Sequence, residues 1–513
     1  MRCTRVALLS LLPSLLWAQT PASIQQAARS ITAGDVQRRI AIIADDSMLG
    51  RATPSPQLEL VAQYVASEFR RFGLRPGGDS GSFLQRYAIG QRRVDTAHAA
   101  VEIVGPAGTA TLRPGVDVNL LPFDRPGDNV ISGPIVLFAG PGDTLNPLAG
   151  ADVRGAWIAI LATADSSGLR LDDPAPDRGE SSGALGVLVI SNRPDSMWQD
   201  RLGRVMRPQA IPAWRLTDTV THAAFPEIRD AQAARLLGVD PAALRTHTAR
   251  SATRLAGITL TFRPAYEALG GTSAPNVIGI LDGSEPQLKS EYVFFTGHMD
   301  HVGTPGSGEG CQARGADSIC NGADDDASGT IAVLEAAEAF AQLTPRPRRS
   351  LVFMTVSGEE RGLWGSEYFS EHPTIPLANI VADVNTDMVG RNWKDTIAVI
   401  GKEHSDLGAT LNRVAAAHPE LRMQPIDDIW PQENFYFRSD HYNFARKGVP
   451  ILFFFNGTHA DYHQVSDSPE KIDGEKEARI VQLVFYLGLD VANASERPRW
   501  NPDSYRKIVQ GEH

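Results

Sequence analysis

Four short apolar runs, each followed at once by His, Asp or Glu, constrain this chain more than any other feature. Residues 292–296 lead into Gly297-His298-Met299-Asp300, and 351–356 lead into Ser357-Gly358-Glu359-Glu360. Residues 380–385 lead into Thr386-Asp387-Met388, and 450–455 lead into a loop ending Asp461-Tyr462-His463. A fifth run, 277–281, precedes them. Runs of this length, rich in Val, Ile and Phe, read as strands buried on both faces. Between them, 327–343 sets Ile331, Leu334, Ala337 and Phe340 on one helical face, directly after Asn321-Gly322-Ala323-Asp324-Asp325-Asp326. Alternating strands and helices predict an α/β fold with a mixed, largely parallel central sheet flanked by helices. Parallel strands end at one edge, where open α/β sheets bind their ligands.

The rest of the chain divides by pattern. Residues 19–117 form the N-terminal part of the same domain. They carry a helical pattern over 35–43, a turn at 48–51, and an amphipathic helix over 58–72 that stops at Gly73. That helix sets Leu58, Leu60, Val61, Tyr64, Val65 and Phe69 at helical spacing. Residues 118–262 change character. Apolar runs at 135–138, 157–161 and 186–190 are separated by Gly, Pro and Asp, which predicts a β-rich insert. The α/β unit resumes over 263–493, and 494–513 is a polar tail. At the start, Arg2 and Arg5 precede an apolar run over 6–17 that ends at Ala18-Gln19. This is signal-peptide length, too short to span a bilayer comfortably, so 1–18 are expected to be removed and the protein secreted or periplasmic, with an uncleaved membrane anchor as the alternative.

Charge and cysteine usage narrow the function. Sixty acidic residues against 49 basic ones give a net charge of −11, which argues against a nucleic-acid backbone binder. After export, Cys311 and Cys320 are the remaining cysteine pair. Their neighbours supply no second Cys pair or nearby His pair, which favours a disulfide over two thiolate metal ligands.

Carboxylates gathered at one sheet edge would repel one another and raise their pKa values unless cations neutralise them. A His/Asp/Glu set without Cys suits zinc, with manganese or cobalt possible in the same geometry. Two adjacent ions need a shared carboxylate and separate ligands on either side, which His298, Asp325, Glu360, Asp387 and His463 can supply. Glu359 is left over beside a ligand, where a general base acting on water belongs. His301, His441 and His459 read as spectators, and Asp324 and Asp326 as caps of the following helix.

At these residues the chain resembles a known family. Gly297-His298-Met299-Asp300, Gly322-Ala323-Asp324-Asp325-Asp326-Ala327-Ser328-Gly329, Gly358-Glu359-Glu360, Asp387-Met388 and Tyr462-His463 through Asp467 are similar to the exported di-zinc aminopeptidases and glutamate carboxypeptidases. The resemblance covers about 270–490 and extends to Leu49-Gly50-Arg51. It implies that Asp325 bridges two zinc ions, that His298 and Asp387 complete one site, and that Glu360 and His463 complete the other. It further implies that Glu359 is the general base and that Tyr462 hydrogen-bonds the oxyanion. Asp300 would orient His298 from behind, and Asp467 would act similarly near His463. The Asp325–Asp326 peptide is expected to be cis, and the Cys311–Cys320 bridge to tie down the intervening loop. Arg438 and Asp440 are candidates to hold the substrate, Asp440 through its α-amine. The insert resembles a protease-associated domain.

The implied activity is hydrolysis of peptide substrates, most simply aminopeptidase action, by a monomer or homodimer that binds no nucleic acid. Carboxypeptidase action, one-zinc cyclisation of the glutaminyl-cyclase kind and a receptor-like binding module are the alternatives. The complete ligand set and Glu359 favour hydrolysis. Gly78-Asp79-Ser80-Gly81 imitates a serine-protease nucleophile but has no plausible His upstream, so it reads as a turn.

Overall fold

The computed structural model describes residues 19–510 except 107, 121–129, 143–145, 166–167, 171–172, 177–178, 180–181, 207–212, 217–225 and 308–309. The expected signal segment 1–18 lies outside the described residues. Among the described residues, no helix is long and apolar enough to cross a membrane.

Alternate residues of the central strands enter opposite apolar clusters, which is why these runs carry almost no polar positions. Val293, Phe295, Leu351 and Phe353 pack on one face, while Phe294, Val352, Met354 and Val356 pack on the other. The resulting ten-stranded sheet runs Ala213–Leu216, Leu84–Val94, Tyr266–Leu281, Ser350–Val356, Tyr292–His298, Ile380–Thr386, Ile451–Phe455, Thr396–Ile400 and Gln424–Ile426, with Arg75–Pro76 paired to Tyr266–Leu281. Ser350–Val356, Tyr292–His298, Ile380–Thr386 and Ile451–Phe455 are mutually parallel neighbours. Four strands therefore finish at one edge, each continuing into a loop that carries His, Asp or Glu. Antiparallel strands flank them on both sides, as a mixed sheet requires.

One face is covered by Gly329–Ala341, Ala33–Ile43, Pro56–Arg71 and Gly474–Asn493. The first of these is buried around nearly its whole circumference. Pro56–Arg71 is capped by Ser55. The chain reverses at Gly73 with φ 79°, a conformation glycine adopts without cost. Leu58, Val61, Val65 and Phe69 face the core, but Leu60 is 50% exposed and lies off that face.

The insert is a second, nine-stranded sheet. Its strands run from Ala100–Gly105 to Ser251–Arg263, so it begins ahead of the expected boundary at 118. The reason lies in packing: Val101, Ile103 and Leu112 close the same core as Trp157, Leu188 and Leu260. The unit also contains the helices Asp195–Met206 and Asp230–Leu237, and its strands Trp157–Asp165 and Gly186–Ser191 run parallel. Ala213–Leu216, from within this stretch, pairs with Leu84–Val94 of the first sheet. The polar tail is anchored where Trp500 Nε1 donates to the Gly448 carbonyl at 2.9 Å.

A buried ion network fastens the helical layer. Arg39 is 1% exposed and its guanidinium meets Glu335 and Glu338, with Glu68 at 3.1 Å. Burial pushes the Glu335 carboxyl up to about 7, and Arg39 pulls against that rise. Removing the cation leaves a buried acid unpaired. Arg39→Met is expected to destabilise the fold by about 3–5 kcal/mol. Arg39→Met combined with Glu335→Leu should recover most of that loss. Thermal melts of the two variants check this, and equal melting temperatures for Arg39→Met and wild type would refute it.

Candidate metal centre

The strand ends bring the expected residues together. His298 closes the strand Tyr292–His298, and Asp387 follows Ile380–Thr386 directly. Asp325 sits in the irregular turn Ala323–Ser328 at the head of helix Gly329–Ala341. The Asp325–Asp326 peptide is cis. His298 Nε2 lies 3.3 Å from Asp325 Oδ1 and 3.7 Å from Asp387 Oδ1. His463 Nε2 lies 3.1 Å from Asp325 Oδ2 and 3.1 Å from Glu360 Oε2. The two oxygens of Asp325 thus face two different imidazoles. Glu359 Oε2 stands 4.0 Å from His298 Nε2.

His301, expected to be a spectator, belongs to this constellation. Its Nδ1 is 2.9 Å from Glu360 Oε1 and 3.6 Å from Asp325 Oδ2, and the ring is fully buried. His298–Asp325–Asp387 and His301–Asp325–Glu360 are each compact enough to surround one cation. His441 stands apart from both, its Nε2 against the Tyr436 carbonyl at 2.8 Å and its ring stacked on Phe453. His459 is engaged elsewhere, 3.1 Å from Asp324.

The carboxylates divide by how their oxygens are satisfied. Asp326 accepts from the amides of His298, Gly329 and Met388 at 2.7–3.1 Å, stitching three segments together. Asp467 accepts from the amides of Asp324 and Asp325 at 3.1 Å. It therefore holds the Asp325 turn, where the resemblance implied an orienting role near His463. Asp300 accepts from Thr53 Oγ1 and the Gly358 amide, both at 2.7 Å, with its other oxygen 3.6 Å from His298 Nδ1. By contrast, Asp325 Oδ2, Glu360 Oε1, both nitrogens of His298 and of His301, and His463 Nε2 are buried without a hydrogen-bond partner. Orphaned polar atoms in a buried site carry a desolvation penalty. A donor set of carboxylates and imidazoles aimed inward fits divalent cations of the zinc class.

Electrostatics agree with that fit. Burial holds the Glu359 carboxyl well above its ordinary range, and Glu360, Asp440 and Asp387 add to the rise. Burial also keeps the Tyr462 phenol protonated, reinforced by Asp325 and Glu360. The phenol ring stacks on His463 at 3.9 Å.

A cavity opens onto His298, Asp325, Glu359 and Asp387, lined also by Met388, Phe435, Phe453, Phe455, Thr458, Tyr462 and Arg438. Arg438 thus lines the cavity. Asp440 does not: it is fully buried and absent from the lining, and it accepts from Ser366 Oγ at 2.6 Å. Burial pushes it up to about 7. Ser439, unsuspected from the sequence, donates to Asp387 Oδ2 at 2.8 Å. Asn456, first residue of an Asn-Gly-Thr glycosylation pattern, is fully buried and donates to the Arg391 carbonyl.

Arg51 is the other residue that sequence reasoning left without a role. It is fully buried, and its guanidinium donates to the carbonyls of Met299 at 2.8 Å, Gly322 at 2.6 Å, Asp325 at 3.3 Å, and Asn321. One side chain from the N-terminal segment thus clamps the two loops that carry His298 and Asp325. The disulfide Cys311–Cys320 closes the connection between those loops. Cys320 packs with Val302 and Val465.

Residues 276–488 match the family model described as Peptidase family M28. A protein of Pyricularia oryzae (strain 70-15) described as a probable zinc metalloprotease is 41% identical over 269 residues, covering 44% of this chain and 51% of that protein. A probable leucine aminopeptidase of Trichophyton verrucosum (strain HKI 0517) is 29% identical over 230 residues, covering 43% and 58%. The chain spans about half the length of the curated relatives it matches. Among solved structures, an aminopeptidase from Aneurinibacillus sp. strain AM-1 is 18% identical with a TM-score of 0.48, covering 93% of this chain and 97% of that one.

The clamp is testable. Arg51→Lys keeps the charge but cannot span the same carbonyls, and it should cost about 3 kcal/mol of stability through lost charge-assisted hydrogen bonds. Calorimetric melting checks this, and an unchanged melting temperature would show that the loops hold themselves.

Proposed function

We propose that this chain, whose residues 276–488 match the model of Peptidase family M28, is a di-zinc metallopeptidase that trims residues from the amino end of peptides. The observation that carries the proposal is the shared carboxylate. Asp325 turns one oxygen to His298, which Asp387 also approaches, and the other to His463, which Glu360 approaches. His298, Asp325 and Asp387 would hold one ion, and Asp325, Glu360 and His463 the other; manganese or cobalt suits the same donors. Zinc bound there supplies Lewis-acid polarisation of the scissile carbonyl and lowers the pKa of an attacking water.

The chain's own groups then divide the work. Glu359, at the cavity wall beside His298, takes the proton of the attacking water and delivers it to the leaving amine. Tyr462, protonated and lining the same cavity, donates to the oxyanion of the tetrahedral intermediate. Ser439 fixes the orientation of Asp387 by donating to its Oδ2, and Asp300 stands behind His298 at 3.6 Å. Phe435, Phe453, Phe455 and Met388 contribute the apolar part of a cavity wall that the acids and Arg438 share. The acids facing the cavity suit a terminal ammonium group. The relative described as a leucine aminopeptidase supports that choice. The Cys311–Cys320 bridge supports an oxidising compartment and hence export.

Arg438 favours one second reading. It is a cation in the cavity lining, over the Phe435 ring at 4.8 Å, and could take the α-carboxylate of a carboxypeptidase substrate. A panel of aminoacyl-nitroanilides beside N-blocked peptides separates the two. Trimming at free amino ends, fastest for Leu and Phe, is the expected result. Cleavage of N-blocked peptides at their carboxyl ends would overturn the aminopeptidase reading.

Glu359→Gln should retain its metal while kcat falls by about 10²–10⁴-fold, the span of general-base catalysis. Near-normal turnover would remove Glu359 from the mechanism. Tyr462→Phe should lower kcat by about 10²-fold with little change in KM, as loss of one oxyanion donor does. A change confined to KM would contradict that role.

A further inference from the structure

We propose that His301 is an additional protein ligand of the second cation position, which makes the two positions unequal in affinity and in task. The inference rests on the dinuclear reading above. It adds a fourth side-chain donor to Asp325, Glu360 and His463, whereas the first position keeps three: His298, Asp325 and Asp387.

Three observations converge on His301. The ring is fully buried, and neither nitrogen has a hydrogen-bond partner. A buried imidazole left so is costly unless something else engages it. Its Nδ1 is 3.6 Å from Asp325 Oδ2, within the 3.1–3.7 Å that separate the other inward-facing donors, and at 2.9 Å it stands slightly closer to Glu360 Oε1. Donors sharing a tetrahedral zinc at about 2.0–2.2 Å stand about 3.3–3.6 Å apart. The rings of His301 and His463 meet edge to face, centroids 5.6 Å apart at 76°, as two imidazoles converging on one point do.

The seat of the ring is built into the fold. Gly322 has φ +58°, and a Cβ there would come within 2.4 Å of His301 Cγ and 2.5 Å of Cδ2. The glycine leaves the volume that the imidazole fills. His301 enters through Nδ1, whereas His298 and His463 present Nε2 to their partners. The short loop from His298 to His301 therefore carries one ligand into each position.

Structural zinc sites are closed by four protein ligands, and catalytic ones keep a place open. By that rule the second position, with two imidazoles and two carboxylates, fills first and anchors the loops. The first position exchanges its ion more readily and is the one at which the substrate carbonyl is received.

The test begins with metal-free protein titrated with Co²⁺, followed by calorimetry and visible absorption. Wild type should take up two ions in two resolved steps. His301→Asn and His301→Gln should still take up two, with the tight step weakened by about a hundredfold and the weak step unchanged. X-ray absorption of the zinc-loaded wild type should count three imidazoles over two ions, a reading that needs no variant and so survives any misfolding. Two ions with only two imidazoles, or titrations that His301→Asn leaves unchanged, would overturn the inference while the dinuclear reading stands. His301 would then be a positioning residue beside Glu360. Uptake of fewer than two ions by wild type would overturn the dinuclear reading and this inference together.

Discussion

Too many carboxylates are buried at one sheet edge for the protein to leave them to water. Asp300, Asp324, Asp325, Asp326, Glu360, Asp387 and Asp467 are all withdrawn from solvent around the ends of four parallel strands. Repulsion and desolvation both penalise such a cluster. The fold answers by splitting it. Asp326, Asp467 and Asp300 spend their oxygens on backbone amides and so become the ties that hold the loops. Asp325 and Glu360 keep oxygens free and facing imidazoles, and those are the atoms left for cations.

Everything around the centre serves that partition. The parallel strands fix where each loop departs, and the register of Tyr292–His298 between Ser350–Val356 and Ile380–Thr386 sets His298, Glu359 and Asp387 side by side. Arg51 brings a permanent positive charge beneath the cluster and holds two loops by their carbonyls. Gly358, at φ +75°, lets the chain turn so that its amide meets Asp300; a Cβ there would strike Tyr87 Oη at 2.8 Å and Trp364 Cβ at 2.9 Å. Phe435, Phe453 and Phe455 border the same cavity, and Asp325 and Asp387 beside them are largely buried. In such surroundings electrostatic interactions are stronger than in water.

Most of the architecture was legible because it is local. Alternating burial and helical spacing are properties of short windows, and the strands and principal helices fall where those periods put them. The gathering of these side chains was legible because each candidate ligand but Asp325 closes its strand or stands in the loop that follows it, while Asp325 stands at the head of a helix, so adjacency in the chain carried over to adjacency at the sheet edge. The start of the inserted sheet was harder to see. Ala100–Gly105 and Gly108–Leu112 join it only by pairing with a strand that begins at Ser251, and no window of sequence contains both partners.

The amino-acid sequence by itself determined the α/β class, the sheet edge at which chemistry gathers, and the residue types gathered there. Tertiary structure decided which of several similar side chains face inward. His301 turns into the cluster while His441 stacks on Phe453; Asp440 bonds to Ser366 behind the cavity; and Asp467 grips the Asp325 turn. The physical reason is that a loop side chain takes its direction from whatever packs against it. For His301 that is Gly322, which lies twenty-one residues further along the chain and reaches the ring only once the sheet has formed.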